Sequence, residues 1–281
     1  MMYPLTPEHT SATDLLRCAR GGPHLYVKNH RIEASLHNHT RRSDGQRTIA
    51  ELAEIAKRHL CNIAVTDHNI PPEFAGTWPD GLIPGIEITT AEGVDVVVIG
   101  TLEYIHTLFE RHILKNLHPT RPRICRTRFS VYDLPSVTRH RIYAHAANVE
   151  GIMQLPEDGQ RFLLGYPEGQ TFLEANALML SGQNESAAKL AEEHGKPLLC
   201  TGDTHCGTEQ YVGSASSLHV DHLTRSEKPL LDRFMESLHR NPSRLEHRLH
   251  SLSLLERLQT IAQVTHKNGI RSTGYFLWKT V

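Results

Sequence analysis

The sequence predicts an α/β protein built on a largely parallel sheet. Short apolar runs of strand length alternate with a helical pattern, and no repeat, low-complexity tract or Gly/Ser-rich linker interrupts them. His, Asp and Glu stand at the ends of nearly all of those runs. At 281 residues the chain fits one large α/β barrel or two ordinary domains.

The first run, "RIEASLH" (31–37), reads as a strand and leads into "NHTRRSDG". In an extended chain residues i and i+2 share a face, so His37 and His39 aim two imidazoles at one point, as in a metal chelate. A pair of surface histidines is the competing reading in a chain with 20 of them. "TIAELAEIAKRHL" (48–60) follows with apolar residues at 49, 52, 55, 56 and 60, the spacing of one helix face. Thr48 with Glu51 three residues later forms a capping-box pattern at its start. "NIAVTDH" (62–68) completes a β-α-β unit. "GLIPGIEIT" (81–89), "VDVVVIG" (94–100), "RIYAH" (141–145), "TFLEAN" (171–176) and "KPLLCTGD" (196–203) supply further strands, with "NESAAKLAEEHG" (184–195) as a helix between the last two. In the tail, "PLLDRFMESL" and "LSLLERLQTIAQV" carry the leucine spacing of amphipathic helices that pack on the barrel or on a second subunit.

The polar residues fall in a pattern relative to these runs. His37 and His39, Asp67 and His68, Glu87, His145, Glu174 and Asn176, and Asp203 and His205 all lie at or just beyond the C-terminal end of a predicted strand. Polar residues that merely mark where strands stop account for one or two such cases. In a parallel barrel the C-terminal face gathers residues distant in sequence into one pocket.

Composition narrows the function classes. Lys plus Arg at 30 against Asp plus Glu at 31 leaves a net charge of −1, so the overall balance provides no attraction to nucleic acid or an anionic membrane. No apolar run approaches the roughly 20 residues needed to span a bilayer. "MMYPLTPEHTSATDLL" has neither the basic start nor the apolar stretch of a secretory signal, and a cytoplasmic location is expected. Five cysteines, at 18, 61, 125, 200 and 206, are widely spaced and contain no C-x-x-C pair, which argues against a disulfide framework or a thiolate zinc site. Cys206 follows His205 directly and is read as a bystander.

Taken in order, "HNHTRRSDG", "VTDHN", "GIEIT", "AHA", "LEAN" and "TGDTH" resemble the PHP (polymerase and histidinol phosphatase) family of metal-dependent phosphoesterases over roughly residues 32–215. The resemblance implies a distorted (β/α)7 barrel related to the amidohydrolases, flanked by an N-terminal extension (1–31) and a helical C-terminal extension (216–281). It implies two or three divalent ions. His37, His39, Glu87 and Asp203 would hold one, and Asp44, His68 and His205 another. Glu87 would bridge towards a further ion whose ligands include His145. Asp203, Glu87 and His205 are the residues expected to matter most for catalysis.

The chemistry agrees with those residue types. Imidazole with carboxylate suits Zn, Mn or Fe, and one carboxylate can join two ions. A water shared between ions is acidified to hydroxide near neutral pH, and the ions offset charge developing on a phosphoryl oxygen. No G-x-S-x-G, Walker or dinucleotide-binding signature suggests another mechanism. One departure stands out. Many members of that family carry a histidine in the strand after the bridging glutamate, and the matching position here is Val97 or Val98. Asp95, His106, His112 or His118 could complete that site, although the three histidines, in a basic and helical stretch, are expected to face solvent.

"RPRICRTRFS" (121–130) places Arg121, Arg123, Arg126 and Arg128 between two ligand-bearing strands. A loop there either offers bidentate contacts to a phosphate or is a solvated basic surface. The expected function is hydrolysis of a small-molecule phosphomonoester or phosphodiester: a nucleotide, a cyclic phosphate, or a sugar or amino-alcohol phosphate. A nuclease acting on oligonucleotides is the rival within enzymes, disfavoured by the neutral charge and by the short interval between residues 100 and 145. A non-catalytic metal-binding accessory protein is the rival outside them.

Overall fold

The structure is a computed structural model that describes residues 13–16, 23–121, 125–223, 226–250 and 252–268. Two short strands, β1 (Thr13–Leu16) and β2 (Leu25–Lys28), pair antiparallel, and β2 turns into β3 (Arg31–Ser35) through Asn29 and His30. Both turn residues have positive φ, at 50° and 59°. That geometry matches the right-handed twist of the strands it joins.

From β3 the spatial order of strands follows chain order through β4 (Asn62–Val65), β5 (Leu82–Thr89), β6 (Asp95–Ile99), β7 (His140–Tyr143), β8 (Gln170–Asn176) and β9 (Leu198–Thr201). β3, β4 and β5 are parallel, as are β7, β8 and β9, while β6 is antiparallel to both its neighbours. This is the expected seven-stranded α/β barrel with one strand reversed. The cause is local. Only residues 90–94 connect β5 to β6, closed by Gly93 N–H donating to the Thr90 carbonyl at 2.9 Å and Thr90 N–H to the Val94 carbonyl at 3.0 Å. A parallel return needs a crossover of a dozen or more residues, so a link this short must form a hairpin.

The ring closes through β10 (Ala215–His219), which runs antiparallel to β3 and is extended by β11 (Glu246–Arg248). Beside β9, the Ser216 hydroxyl accepts from Cys200 N–H at 2.9 Å. At the upper rim a parallel bridge joins Asn38 to Thr204. The sheet therefore continues on both sides of residues 32–215.

Alternation along the strands sorts the apolar residues into two layers. Ile32, Ala34, Ala64, Val97, Ile99, Ile142, Phe172 and Leu199 fill the interior, closed from below by Leu231, Phe234, Met235 and Leu238 of α7 (Leu230–Arg240). On the outside, α1 (Ile49–His59) packs Leu52, Ile55 and Ala56 on Ile63, Val65 and Leu82. Its capping box is formed, with Thr48 and Glu51 bonded reciprocally. α2 (Leu102–Leu108), α3 (Leu134–Val137), α4 (Glu157–Gly165) and α5 (Ser181–Glu193) cover the remaining outer face around Val96, Val98 and Leu173, and α6 (Thr208–Gly213) adds Tyr211 and Val212 beside α1.

α8 (Leu254–Asn268) reaches three of the loops on the upper rim. Arg257 donates to the Leu178 carbonyl at 2.5 Å, Thr260 Oγ1 lies 3.3 Å from Cys206 Sγ, and Gln263 donates to the carbonyls of Asp44 and Gly45 at 3.3 Å. No helix among the described residues is long and apolar enough to cross a membrane.

Candidate metal centre

Backbone bonds stitch the upper rim together. Thr66 N–H donates to Asn38 O at 2.9 Å, Asn69 N–H to Glu87 O at 2.7 Å, Ala144 N–H to Asp95 O at 3.1 Å and Ala177 N–H to Thr201 O at 3.2 Å. Each strand end is thus set relative to the next, and the side chains just beyond converge.

Three groups of ligand atoms result: His39, Asp44, His68 and His205; His37, His39 and Asp203; Glu87, Asp95 and His145. His37 Nε2 and His39 Nε2 are 3.3 Å apart. Glu87 Oε1 is 3.2 Å from the first and Oε2 3.3 Å from the second, while Asp203 Oδ1 lies 3.6 and 3.2 Å from the same two nitrogens. Ligands about 2.0–2.2 Å from a tetrahedral ion are about 3.3–3.6 Å from one another, so this spacing fits such an ion. In the next group Asp44 Oδ2 is 3.3 Å from His205 Nε2 and 3.5 Å from His68 Nε2, and His68 Nδ1 is 2.9 Å from Glu87 Oε2. Glu87 also reaches the third group, with Oε1 3.7 Å from His145 Nε2, which lies 3.5 Å from Asp95 Oδ2.

The eight residues expected from the sequence, His37, His39, Asp44, His68, Glu87, His145, Asp203 and His205, are all brought together. In the strand after Glu87, Asp95 is the candidate that reaches the centre. Val97 pairs directly opposite Glu87 and faces the apolar interior, whereas Val98 packs outward. Because β6 is reversed, its first residue is at the rim, and Asp95, buried on the same face as Val97, supplies a carboxylate. His106 Nε2–H donates to the Pro72 carbonyl at 3.0 Å, and neither His106, His112 nor His118 joins a cluster. Cys206 is likewise outside the clusters.

Supporting contacts explain the loop that carries Asp44. Asp67 accepts from Thr40 N–H at 2.7 Å, the Thr40 hydroxyl at 2.6 Å and the Ser43 hydroxyl at 2.6 Å. Gly45 sits so close to the chain that a Cβ there would lie 2.2 Å from the His39 carbonyl oxygen, which accounts for the glycine after Asp44. His205 Nδ1–H donates to the Asp203 carbonyl at 2.9 Å, leaving Nε2 free to face Asp44. His145 and Asp203 both have positive φ, 31° and 47°, an uncommon backbone for residues with side chains and one found at functional sites.

The electrostatics favour a cation. Burial pushes His37 and His68 towards the neutral form, yet Glu87 with Glu174 and Asp203, and Glu87 with Asp44, outweigh it and hold both well above the ordinary histidine value. Burial likewise opposes charge on His145, and Glu87 and Asp95 raise it to about 9. Against burial, the imidazoles of His68 and His37 hold Glu87 well below the usual carboxylate range, and those of His205 and His68 do so for Asp44. Asp95 is pushed up by burial and by Glu150 and Glu87. Protons on the histidines therefore stand where positive charge is wanted. Both oxygens of Glu87 and Oδ1 of Asp95 are buried without a hydrogen-bond partner, which suits atoms that ligate an ion instead.

The basic loop lies beside the rim. Cys125 O accepts from Asn69 Nδ2 at 3.2 Å, and Thr127 N–H donates to Thr89 O at 2.8 Å. Arg121, Arg126 and Arg128 are exposed, and Arg123 lies outside the described residues. His68 has the most accessible side chain of the ligand set, at 20%, so the centre opens next to Asn69 and this loop. The sequence left Glu174 without a role. Its carboxylate is fully buried behind His37 and His145.

No protein-family model matches the chain, and no curated protein sequence does. Solved structures do. A two-domain protein from Bacteroides vulgatus, described as containing a predicted PHP-like metal-dependent phosphoesterase, superposes with a TM-score of 0.51 at 13% identity, covering 93% of this chain and 75% of its own. A protein from Bifidobacterium adolescentis, described as a candidate metal-dependent phosphoesterase, aligns at 15% identity and a TM-score of 0.45 over 62% of this chain and 87% of its own. The likeness is one of fold, and it is the PHP-like fold that the motif order implied.

Proposed function

We propose that this protein is a metal-dependent hydrolase that cleaves a phosphomonoester or phosphodiester of a small molecule. The observation that carries the reading is the convergence of five histidines and four carboxylates, from strands β3 to β9, with ligand atoms 2.9–3.7 Å apart. Two or three divalent ions of the Zn, Mn or Fe type fit this donor set. Such ions supply Lewis acidity for a phosphoryl oxygen and acidify a bound water.

The chain's own residues then have separable tasks. Glu87, with one oxygen towards His37 and His145 and the other towards His39 and His68, holds the groups in register. Asp203 and His205, fixed by their shared backbone contact, complete two groups from β9. The basic loop, with Arg121, Arg126 and Arg128 exposed, receives the anionic part of the substrate on the open side beside His68, and Arg123 is assigned the same task from the sequence. The small-molecule reading is supported by the depth of the ligands, most of which are almost fully buried, and a cytoplasmic setting remains part of the proposal.

The test is release of phosphate, or of nitrophenolate from aryl phosphate mono- and diesters, by the full chain reconstituted with Mn or Zn, followed by a screen of phosphorylated metabolites. Metal-dependent turnover of a small ester supports the reading. Cleavage confined to oligonucleotides favours the nuclease, and metal binding without turnover of any phosphate ester favours an accessory role.

A further inference from the structure

We infer that Glu174 is a positioning residue that sets one ligand in each of two different metal groups, His37 and His145. The inference rests on the proposed metal centre and extends it to a residue outside the ligand clusters. Glu174 lies on β8, is fully buried, and uses both carboxylate oxygens. Oε1 accepts from His37 Nδ1–H at 2.8 Å and from the Thr201 hydroxyl. Oε2 accepts from the backbone N–H of His145 at 2.5 Å and from Asn176 Nδ2 at 3.0 Å.

Each bond has a defined effect. A proton held on His37 Nδ1 by a carboxylate leaves the Nε2 lone pair directed at the centre, where Glu87 Oε1 is 3.2 Å away. Carboxylate–histidine pairs of this kind fix the tautomer and ring orientation of a ligand and increase its basicity. At His145 the contact is to the main chain. That residue has φ 31°, and the Glu174 bond, with Ala144 N–H bonded to Asp95 O, holds the peptide so that Nε2 faces Glu87 and Asp95. One carboxylate on β8 thereby orients ligands from β3 and β7. No hydrogen bond joins Glu174 to His68 or His205 among the described residues.

A glutamine at 174 has nearly the same shape but only one acceptor oxygen. Its NH2 group must face either His37 and Thr201 or His145 N–H and Asn176, setting donor against donor. Turning His37 to its other tautomer relieves the first conflict but puts a proton on Nε2.

The experiment compares wild type, Glu174→Gln and Glu174→Asp in the full chain. Stepwise Zn and Mn binding is measured by competition with a chromophoric chelator, and the His37 tautomer is read by long-range 1H–15N NMR on the metal-free protein at a pH alkaline enough for its imidazole to be neutral. Expected are an Nδ1–H tautomer for His37 in wild type that is lost in Glu174→Gln, and a weakening of one or two binding steps by about 10–100-fold. The step assigned to Asp44, His68 and His205 is expected to stay within a few fold of wild type, and Glu174→Asp to recover part of the lost affinity. An unchanged tautomer and unchanged affinities in Glu174→Gln overturn the inference. So does an equal loss in all steps accompanied by a lowered unfolding midpoint, the signature of a purely structural role. A wild-type chain that binds no ion overturns the metal reading itself, and the tautomer of His37 then still decides the positioning claim.

Discussion

Asp203 combines burial, an uncommon backbone and close contact with three histidines. It is buried, has φ 47°, and places Oδ1 within 3.2 Å of His39 Nε2. Against burial, His37, His39 and His205 hold its carboxyl below the usual aspartate range. Asp203→Asn preserves size and removes charge, so secondary structure is expected to persist while metal-dependent turnover falls on the order of a hundredfold or more, as for other preorganised electrostatic groups. Circular dichroism and kcat on the same preparation check this; activity within a few fold of wild type would show that Asp203 is not a ligand. Asp95 is the residue the sequence made hardest to assign. The motif pattern placed the missing histidine at Val97 or Val98 and left Asp95 as one of four residues that could complete the site; the reversal of the strand, which puts its first residue at the rim, selects Asp95. Asp95→Ala is therefore expected to lower metal content at the Glu87–His145 position and leave the other two groups filled, measured as metal per chain after equilibrium dialysis.

At the scale of elements, the features legible in sequence were those governed by local pattern. The helix after the "SDG" segment carried its own capping box, and the structure forms it over Ile49–His59. Strands β3 to β9 announced themselves as apolar runs. β10 and β11 did not, because β10 pairs with β3 about 180 residues earlier, β11 pairs only with β10, and their sequence has little alternation. The basic loop lies between β6 and β7 in the chain, and its contacts with Asn69 and Thr89 set it at the rim. If it receives the substrate's phosphate, at least one alanine variant among Arg121, Arg123, Arg126 and Arg128 should lose about tenfold to a hundredfold in kcat/KM, equivalent to about 1.5–3 kcal/mol for a charged hydrogen bond, with metal content unchanged. Wild-type kinetics in all four variants would return the loop to solvated surface.

The lower end of the barrel provides a pH-dependent test of how α7 is held. Asp232 accepts from His140 Nε2 at 2.9 Å and from Arg139 Nη1 at 2.9 Å. Although burial opposes its charge, the contacts from His140 and Arg139 lower its value below that of a free aspartate. A depressed carboxyl contributes stability that is present above the unfolded aspartate value and disappears as pH falls through the lower folded value. Asp232→Asn is thus expected to cost about 1–3 kcal/mol at neutral pH, and the difference from wild type in urea unfolding should shrink in the acid range. A difference independent of pH would show that the loss comes from packing.

For the whole molecule, the barrel brings together residues from 37 to 205 in a chain of net charge −1, so the charged groups that matter are those gathered at the centre. The four carboxylates Asp44, Glu87, Asp95 and Asp203 are buried among five histidines, an arrangement with no packing advantage over apolar residues. α8 ties the loops bearing Asp44, Cys206 and Leu178 to one helix. The most direct test is the metal content of the full chain after removal of bound metal, reconstitution with Zn or Mn and exhaustive dialysis, measured by inductively coupled plasma mass spectrometry. Two or more ions per chain are expected; less than one ion per chain would contradict the metal centre and every function built on it.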